Sequence, residues 1–202
     1  MIPGVVPEVP PGTRLLGITG APGAGKSTLA ASLGLPVVPM DGFHYADVEL
    51  VRRGVLDRKG APETFDAPGY AALLRRVHAG EPDVVAPMFE RDLEQPIAGA
   101  IAVPATGTVV TEGNYLLLDE PRWLAVRETL DLVWHVVTDE AERVERLVAR
   151  HVEFGKSPAE ARAWVARVDA ANAVLVEAAR DRADAFVDLS GWDAAPPRTA
   201  PG

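Results

Sequence analysis

The chain has 202 residues, a formal net charge of -9 and no cysteine. A surface of that sign repels a polyanion, so nucleic acid is not an expected partner, and disulfide frameworks, thiol nucleophiles and cysteine metal cages are excluded. No apolar run approaches the roughly eighteen residues needed to cross a bilayer, and at this length one domain burying about 70% of its unfolded surface is expected.

The start, MIPGVVPEVPPGT, has neither a basic n-region nor a continuous apolar h-region, and reads as a flexible leader over residues 1–13 of a cytoplasmic chain. LLGIT, residues 15–19, is a strand that runs into a glycine-rich turn, and TLAASLG behind it starts a helix that stops at Gly34. PVVPM is a second strand. ADVELVRRG and PGYAALLRRVHAG are helices, the latter with Pro68 in its first turn and Gly80 at its end. The polar VLDRKGAPETFDA between them is a loop.

VVAPM is a short strand, and FERDLEQPIAGAIAVPATG reads as an irregular connection that leaves room for one edge hairpin. TVVTEG is a buried strand ending in an acid and a glycine, PRWLAVRETL is a helix, and DLVWHVVT is another strand. Two long helical patterns follow, over 139–154 and from 157 to about 182, before a last strand, AFVDL, and a flexible Pro-rich tail over 191–202. Strands alternating with helices imply an α/β protein with a mostly parallel sheet covered on both faces. In such sheets ligands sit at the carboxyl ends of the strands, so residues just after strands become the candidates.

GAPGAGKS, Gly20 to Ser27, has the spacing of a phosphate-binding loop, G-x-x-x-x-G-K-[ST]. Gly20, Ala21, Pro22, Gly23, Ala24 and Gly25 form the cradle, in which glycine lets backbone amides turn inward around phosphates. Lys26 can reach the outer phosphates, Ser27 can ligate magnesium, and the helix that opens here with Thr28 points its positive end at the anion. The pattern Gly20, Gly23, Gly25 is G-x-x-G-x-G, so the dinucleotide fingerprint G-x-G-x-x-G is absent. A nucleoside triphosphate, ATP, with Mg2+ is the expected cofactor pair. The four histidines lack the close pairing of a zinc site, which also favours a hard cation on oxygen ligands.

Further motifs fall into line with this loop: DGFH at 41–44, RKGAPETFD at 58–66, PMFERD at 87–92 and EGNYLLLD at 112–119. Together they resemble the P-loop small-molecule kinases that include uridine kinase, phosphoribulokinase and bacterial pantothenate kinase. The branch described as fructose transport system kinases or nucleoside/nucleotide kinases is the nearest likeness, which runs from Arg14 to about Leu189. The resemblance implies a single P-loop NTPase-type domain over 14–190, three-layer α/β/α, with a helical lid. It implies that Asp41 is the catalytic base, that His44 and Tyr45 line the acceptor pocket, and that Arg58, Lys59, Phe65 and Asp66 grip the acceptor or close over it. Phe89 and Arg91 fall where relatives place substrate-contacting residues. Glu112 is expected to hold the magnesium ion with Ser27.

On the helix over 139–154, Arg143, Arg146 and Arg150 share a face, as lid arginines that clamp a transferring phosphoryl group would. Asp139 and Glu142 lie four residues before Arg143 and Arg146 and predict ordinary helical ion pairs. Arg150 has no such acid and is the preferred clamp, so Lys26, Asp41 and Arg150 are the expected catalytic set. His151, Lys156 and Asn172 lie near in sequence without a predicted place.

The expected activity is ATP-dependent phosphorylation of a hydroxyl on a small polar metabolite, a nucleoside, a sugar or a vitamin precursor such as pantothenate. A nucleoside monophosphate kinase stays open through Arg52, Arg53, Arg58 and Arg91, as does a nucleotide-dependent switch without an acceptor. The partner is the small-molecule acceptor, with no membrane and no nucleic acid expected. The oligomeric state is open, a homodimer included.

Overall fold

The computed structural model describes residues 3–192. In chain order the elements are β1 (Leu15–Gly20), α1 (Lys26–Ser32), β2 (Val37–Pro39), α2 (Asp47–Arg53), α3 (Ala67–His78), β3 (Val84–Glu90), β4 (Gln95–Val103), β5 (Val109–Glu112), α4 (Pro121–Arg127), β6 (Leu132–Val137), α5 (Glu140–Glu153), α6 (Pro158–Trp164), α7 (Ala170–Ala178) and β7 (Ala185–Asp188). Five strands pair in parallel in the order β2-β5-β1-β6-β7. The expected α/β architecture with a parallel sheet flanked by helices is what the chain forms.

The two faces of the sheet bury separate cores. Leu15 on β1 joins Tyr70, Leu74, Tyr115 and Trp123 on one side, and Leu16 and Ile18 join Leu29, Trp134 and Val187 on the other. That alternation is the period-2 geometry of a strand with both faces covered, which is why β1 reads as a continuous apolar run. The edge facing β5 is fixed by polar bonds inside the core. Thr111 donates to the Val38 carbonyl at 2.7 Å and also pairs with the Tyr70 hydroxyl.

Of the leader, Val6 and Val9 pack against the second core, and the Gly4 amide donates to the Asp188 carbonyl at 2.8 Å. The tail from residue 193 lies outside the described residues.

The short strand VVAPM and the edge hairpin expected in the connection after it are one long antiparallel hairpin, β3 with β4, more regular than expected, pairing Val84 with Val103 and Glu90 with Gln95 around a bulge between Ala86 and Met88. Pro87, Pro96 and Gly99 argued against strands there. They are accommodated because a two-stranded sheet consists only of edges, so a missing amide donor faces outward. The second long helical pattern is also interrupted, by a π turn at Val165–Asp169 between α6 and α7.

The hairpin closes on the turn that follows β2, a single 3₁₀ turn over Met40–Phe43. A side chain added at Gly42 would sit 2.4 Å from the Pro87 carbonyl oxygen, so the glycine after Asp41 is what lets the hairpin backbone come this close. Gly42→Ala is therefore expected to destabilise the chain by about 1–3 kcal/mol through overpacking. Urea unfolding checks this, and an unchanged midpoint would mean that the hairpin does not bear on the turn.

Candidate active site

The phosphate loop leaves the central strand at Gly20 and enters α1 at Lys26, reversing through Gly23 (φ +82°) and Gly25 (φ +97°). Its outer side is covered by α5. A Cβ on Gly23 would lie 2.7 Å from Leu147 Cγ and 2.9 Å from the Arg143 carbonyl oxygen. Arg143 is 4% exposed and donates from one guanidinium nitrogen to the Pro22 carbonyl at 2.9 Å, while its other nitrogens bind Glu140 at 2.6 and 2.8 Å. The predicted partner Asp139 instead caps α5, accepting from the Ala141 and Glu142 amides, because a carboxylate at the first turn satisfies otherwise unpaired amides. Arg146 does pair with Glu142, at 3.0 Å. Arg150 has no carboxylate partner among the described residues and lines the cleft.

Lys26 is 7% exposed, and its ammonium donates to the Ala21 carbonyl at 3.1 Å. Burial pulls its pKa down to about 8, against the opposing pull of the Glu112 and Asp41 carboxylates. At the end of β5, Glu112 is equally buried and accepts from the Ser27 hydroxyl at 3.1 Å. Burial, then the negative charge of Asp41, pushes its carboxyl above the ordinary range, with Lys26 and the Ser27 bond opposing. Two carboxylates thus share a cleft, and Glu112 has no cation in direct contact with it. Among the described residues no cluster of three or more His, Asp or Glu side chains could hold a metal by itself. The Ser27 and Glu112 oxygens therefore suit Mg2+, which keeps several waters and takes further oxygens from phosphates, rather than a caged ion.

Asp41 stands in the turn after β2, one strand over from Glu112, because Pro39 pairs with Glu112 in the sheet. Its carboxylate faces Arg91 of the hairpin at 3.4 Å. The His44 Nδ1–H donates to the Asp41 carbonyl at 2.8 Å, and the ring lies 3.9 Å from that of Phe65 and 4.8 Å from that of Phe89. Burial lowers the His44 pKa, so the imidazole is neutral at pH 7. Lys59 donates to Asp47 at 2.8 Å and to the Glu94 carbonyl at 2.5 Å, tying the hairpin tip to α2.

One cavity of about 420 Å³ gathers these groups. Pro22, Gly23, Lys26, Ser27, Glu112 and Arg150 line it from the phosphate side; Asp41, His44, Lys59, Phe65, Phe89 and Arg91 line the remainder. Tyr45, Arg58 and Asp66 are not brought to it. Tyr45 stacks under the Arg53 guanidinium at 4.1 Å, Arg58 pairs with Glu63 at 2.6 Å, and Asp66 caps α3 by accepting from the Gly69 amide at 3.0 Å. Thr28 is exposed on α1.

The cavity also contains residues that sequence reasoning named without placing, His151, Lys156 and Asn172, and others that it passed over, Asn114, Phe154, Trp164 and Asp169. Asp169 had no signal to find it by. It is an acid inside a helical pattern, and its direction depends on the π turn.

A parallel sheet with a phosphate loop after its central strand and two carboxylates at the neighbouring strand ends defines a P-loop nucleotide-binding protein of the kinase type. No family model matches the chain. Escherichia coli (strain K12) carries the "Uncharacterized protein YggC", 33% identical over 180 residues that cover 84% of this chain and 75% of that protein. The Schizosaccharomyces pombe (strain 972) "Putative uridine kinase C227.14" is 32% identical over 158 residues, 70% of this chain and 67% of its own length. A solved structure from Silicibacter sp. TM1040, a "putative fructose transport system kinase", matches with a TM-score of 0.77 at 39% identity, covering 90% of this chain and 92% of its own. The chain belongs to the P-loop small-molecule kinases of the phosphoribulokinase, uridine kinase and pantothenate kinase family.

The buried Lys26 has a consequence for stability. Its folded pKa lies below the ordinary lysine value, so the penalty for burying the charge is fully present below about pH 8 and vanishes as pH rises towards 10.5. Without nucleotide, Lys26→Met should stabilise the fold by up to about 3 kcal/mol at pH 7 and by progressively less above pH 8. Urea unfolding at pH 7 and at pH 9.5 measures the gap, and a gap that does not shrink would contradict the assignment.

Proposed function

We propose that the chain transfers the terminal phosphoryl group of ATP to a hydroxyl of a small polar metabolite, with Mg2+. The observation that supports this reading is that Lys26, Ser27, Glu112, Arg150 and Asp41 face one cavity whose remaining wall is aromatic and polar. Phosphoryl transfer requires positioning and charge neutralisation, together with an acid that orients the nucleophile. Lys26 and Arg150 supply positive charge to the phosphates, and Ser27 and Glu112 hold the cation that neutralises them. Asp41 accepts the proton of the acceptor hydroxyl as its oxygen bonds to phosphorus and ADP departs. Arg91, bound to Asp41 at 3.4 Å, orients that carboxylate.

A phosphate-bearing acceptor is less well served. Arg52 and Arg53 are both engaged by Glu49, and Arg58 by Glu63. Of the four arginines that favoured a nucleotide kinase, Arg91 alone reaches the cavity, and it is paired with Asp41. A switch without an acceptor has no use for the half-buried aromatic slot of His44, Phe65 and Phe89.

An acceptor screen reading ADP release with purified protein tests the class, using nucleosides, sugars, pantothenate and nucleoside monophosphates. With the acceptor so found, Asp41→Asn should lower kcat by about 10²- to 10⁴-fold while ATP affinity changes little. Near-normal turnover in that variant would remove Asp41 as the base.

A further inference from the structure

β6 lies between β1 and β7 in the sheet, and its one titratable side chain, His135, points to the face that α7 covers. His135 is fully buried and has no part in the phosphate chemistry. It pairs in register with Thr19 of β1 and Phe186 of β7, and its ring lies 5.6 Å from that of Phe186. Its Nε2 stands 3.2 Å from Glu177 Oε1 on α7. A carboxylate only accepts, so in the neutral imidazole Nε2 carries the proton and donates it. The other nitrogen, Nδ1, is buried with no hydrogen-bond partner among the described residues.

The helix that receives this bond has little else to hold it. α7 is nine residues long, too short to be stable away from the sheet. Its buried side chains are Asn172, Ala173 and Val176, whereas Val174 and Leu175 on the same helix are exposed. An element with so small an apolar grip belongs to the low end of local stability, where one polar bond weighs heavily.

A second proton on the ring would sit at Nδ1, where it becomes a buried donor with no acceptor. Burial accordingly lowers the His135 pKa below the ordinary 6.5, Glu177 opposes, and the positive charges of Arg180 and Lys26 lower it further. These charges reach the ring from three places. Glu177 comes from α7, Arg180 from just beyond it, bound to Glu177 at 3.5 Å, and Lys26 from the start of α1. Thr19 and Phe186, on the flanking strands, are uncharged.

We infer that His135 and Glu177 form a pH-sensitive latch between the central sheet and α7, closed while the imidazole is neutral and released when the ring meets water and takes up a proton at Nδ1. The packed helix favours the neutral ring, so the latch is at full strength above about pH 6.5. Below that, the population of released α7 rises by up to about tenfold per pH unit, until the packed ring itself protonates. Asn172 at the front of α7 lines the main cavity, so acid loosens that wall while the phosphate loop keeps its place.

Native-state amide hydrogen exchange on the whole chain, corrected for the intrinsic effect of pH, reads the latch without any substrate. At pH 7.5 the α7 amides should be less protected than those of α3, and by pH 5.5 α7 protection should fall about three- to tenfold. In His135→Gln, which keeps a donor towards Glu177 and cannot titrate, the same change of pH should alter α7 protection by less than about twofold. His135→Phe, packed on Phe186, serves as a second non-titrating variant if the first fails a thermal melt. A fall that persists in a folded variant would assign the sensitivity to another group, such as the His151–Asp169 pair at the far end of α7, and would overturn the latch. Equal protection of α7 and α3 at both pH values would overturn it too, because the opening would then be global. A His135 imidazole that titrates at or above pH 6.5 by NMR would contradict the direction on which release depends.

Discussion

The structure turns on a charge problem at the carboxyl ends of three adjacent strands. The pairing of Ile18 and Pro39 with Glu112 brings the ends of β1, β2 and β5 level, and therefore brings Lys26, Asp41 and Glu112 to one cavity. None of the three is relieved by a close partner of opposite sign within the group. Lys26 donates to a carbonyl, Glu112 accepts from a neutral hydroxyl, and Asp41 finds its arginine on the distant hairpin. The cost is visible in opposite directions, with the lysine pushed towards neutrality and the glutamic acid towards protonation. On the proposed function, a polyanion with a divalent cation would supply both missing signs at once, and the groups that burden the free protein would be the groups that bind.

The other elements hold that arrangement from two sides. Arg143 reaches from α5 to the back of the phosphate loop, so the helix that carries Arg150 cannot move without the loop feeling it. On the acceptor side, Gly42 admits the hairpin backbone against the Asp41 turn, Arg91 returns from the hairpin to Asp41, and Lys59 ties the hairpin tip to α2. Asn172 and the Tyr115 hydroxyl both reach the Gly60 carbonyl, which joins the acceptor segment to α7 and to the β5–α4 connection. Positions on separate elements are thereby held to one geometry, as transfer between two bound molecules demands.

How much of this was legible in the sequence depends on what fixes each feature. The phosphate loop, the parallel sheet and the places of Asp41 and Glu112 were readable, because each is set by local periodicity or by residues next to a strand end. Tyr45, Arg58 and Asp66 belong to motifs that resemble acceptor segments, yet side chains one position apart point in different directions, and these three found Arg53, Glu63 and the first turn of α3. The extent of the edge hairpin was hidden by two prolines and a glycine whose penalty disappears at an edge. Arg143 was expected to pair with Asp139, but the helix cap claimed that acid first. Asp169 could not be found at all, since nothing in VARVD announces a π turn.

The division between readable and hidden features coincides with a division of chemical tasks. Asp41 and Glu112 sit within two positions of a strand end and the phosphate loop starts at one, where the backbone register of a buried sheet places them whatever the surface does. The residues of the remaining cavity wall, which the proposed function gives to the acceptor, sit on a hairpin, a short turn and a helix, held by side-chain contacts such as Lys59 with Asp47, His151 with Asp169 and Arg91 with Asp41. Replacing one of those contacts alters the pocket without disturbing the strand register, so selectivity can drift while phosphoryl chemistry persists. The same separation explains why relatives that share this sheet and loop carry names for different substrates.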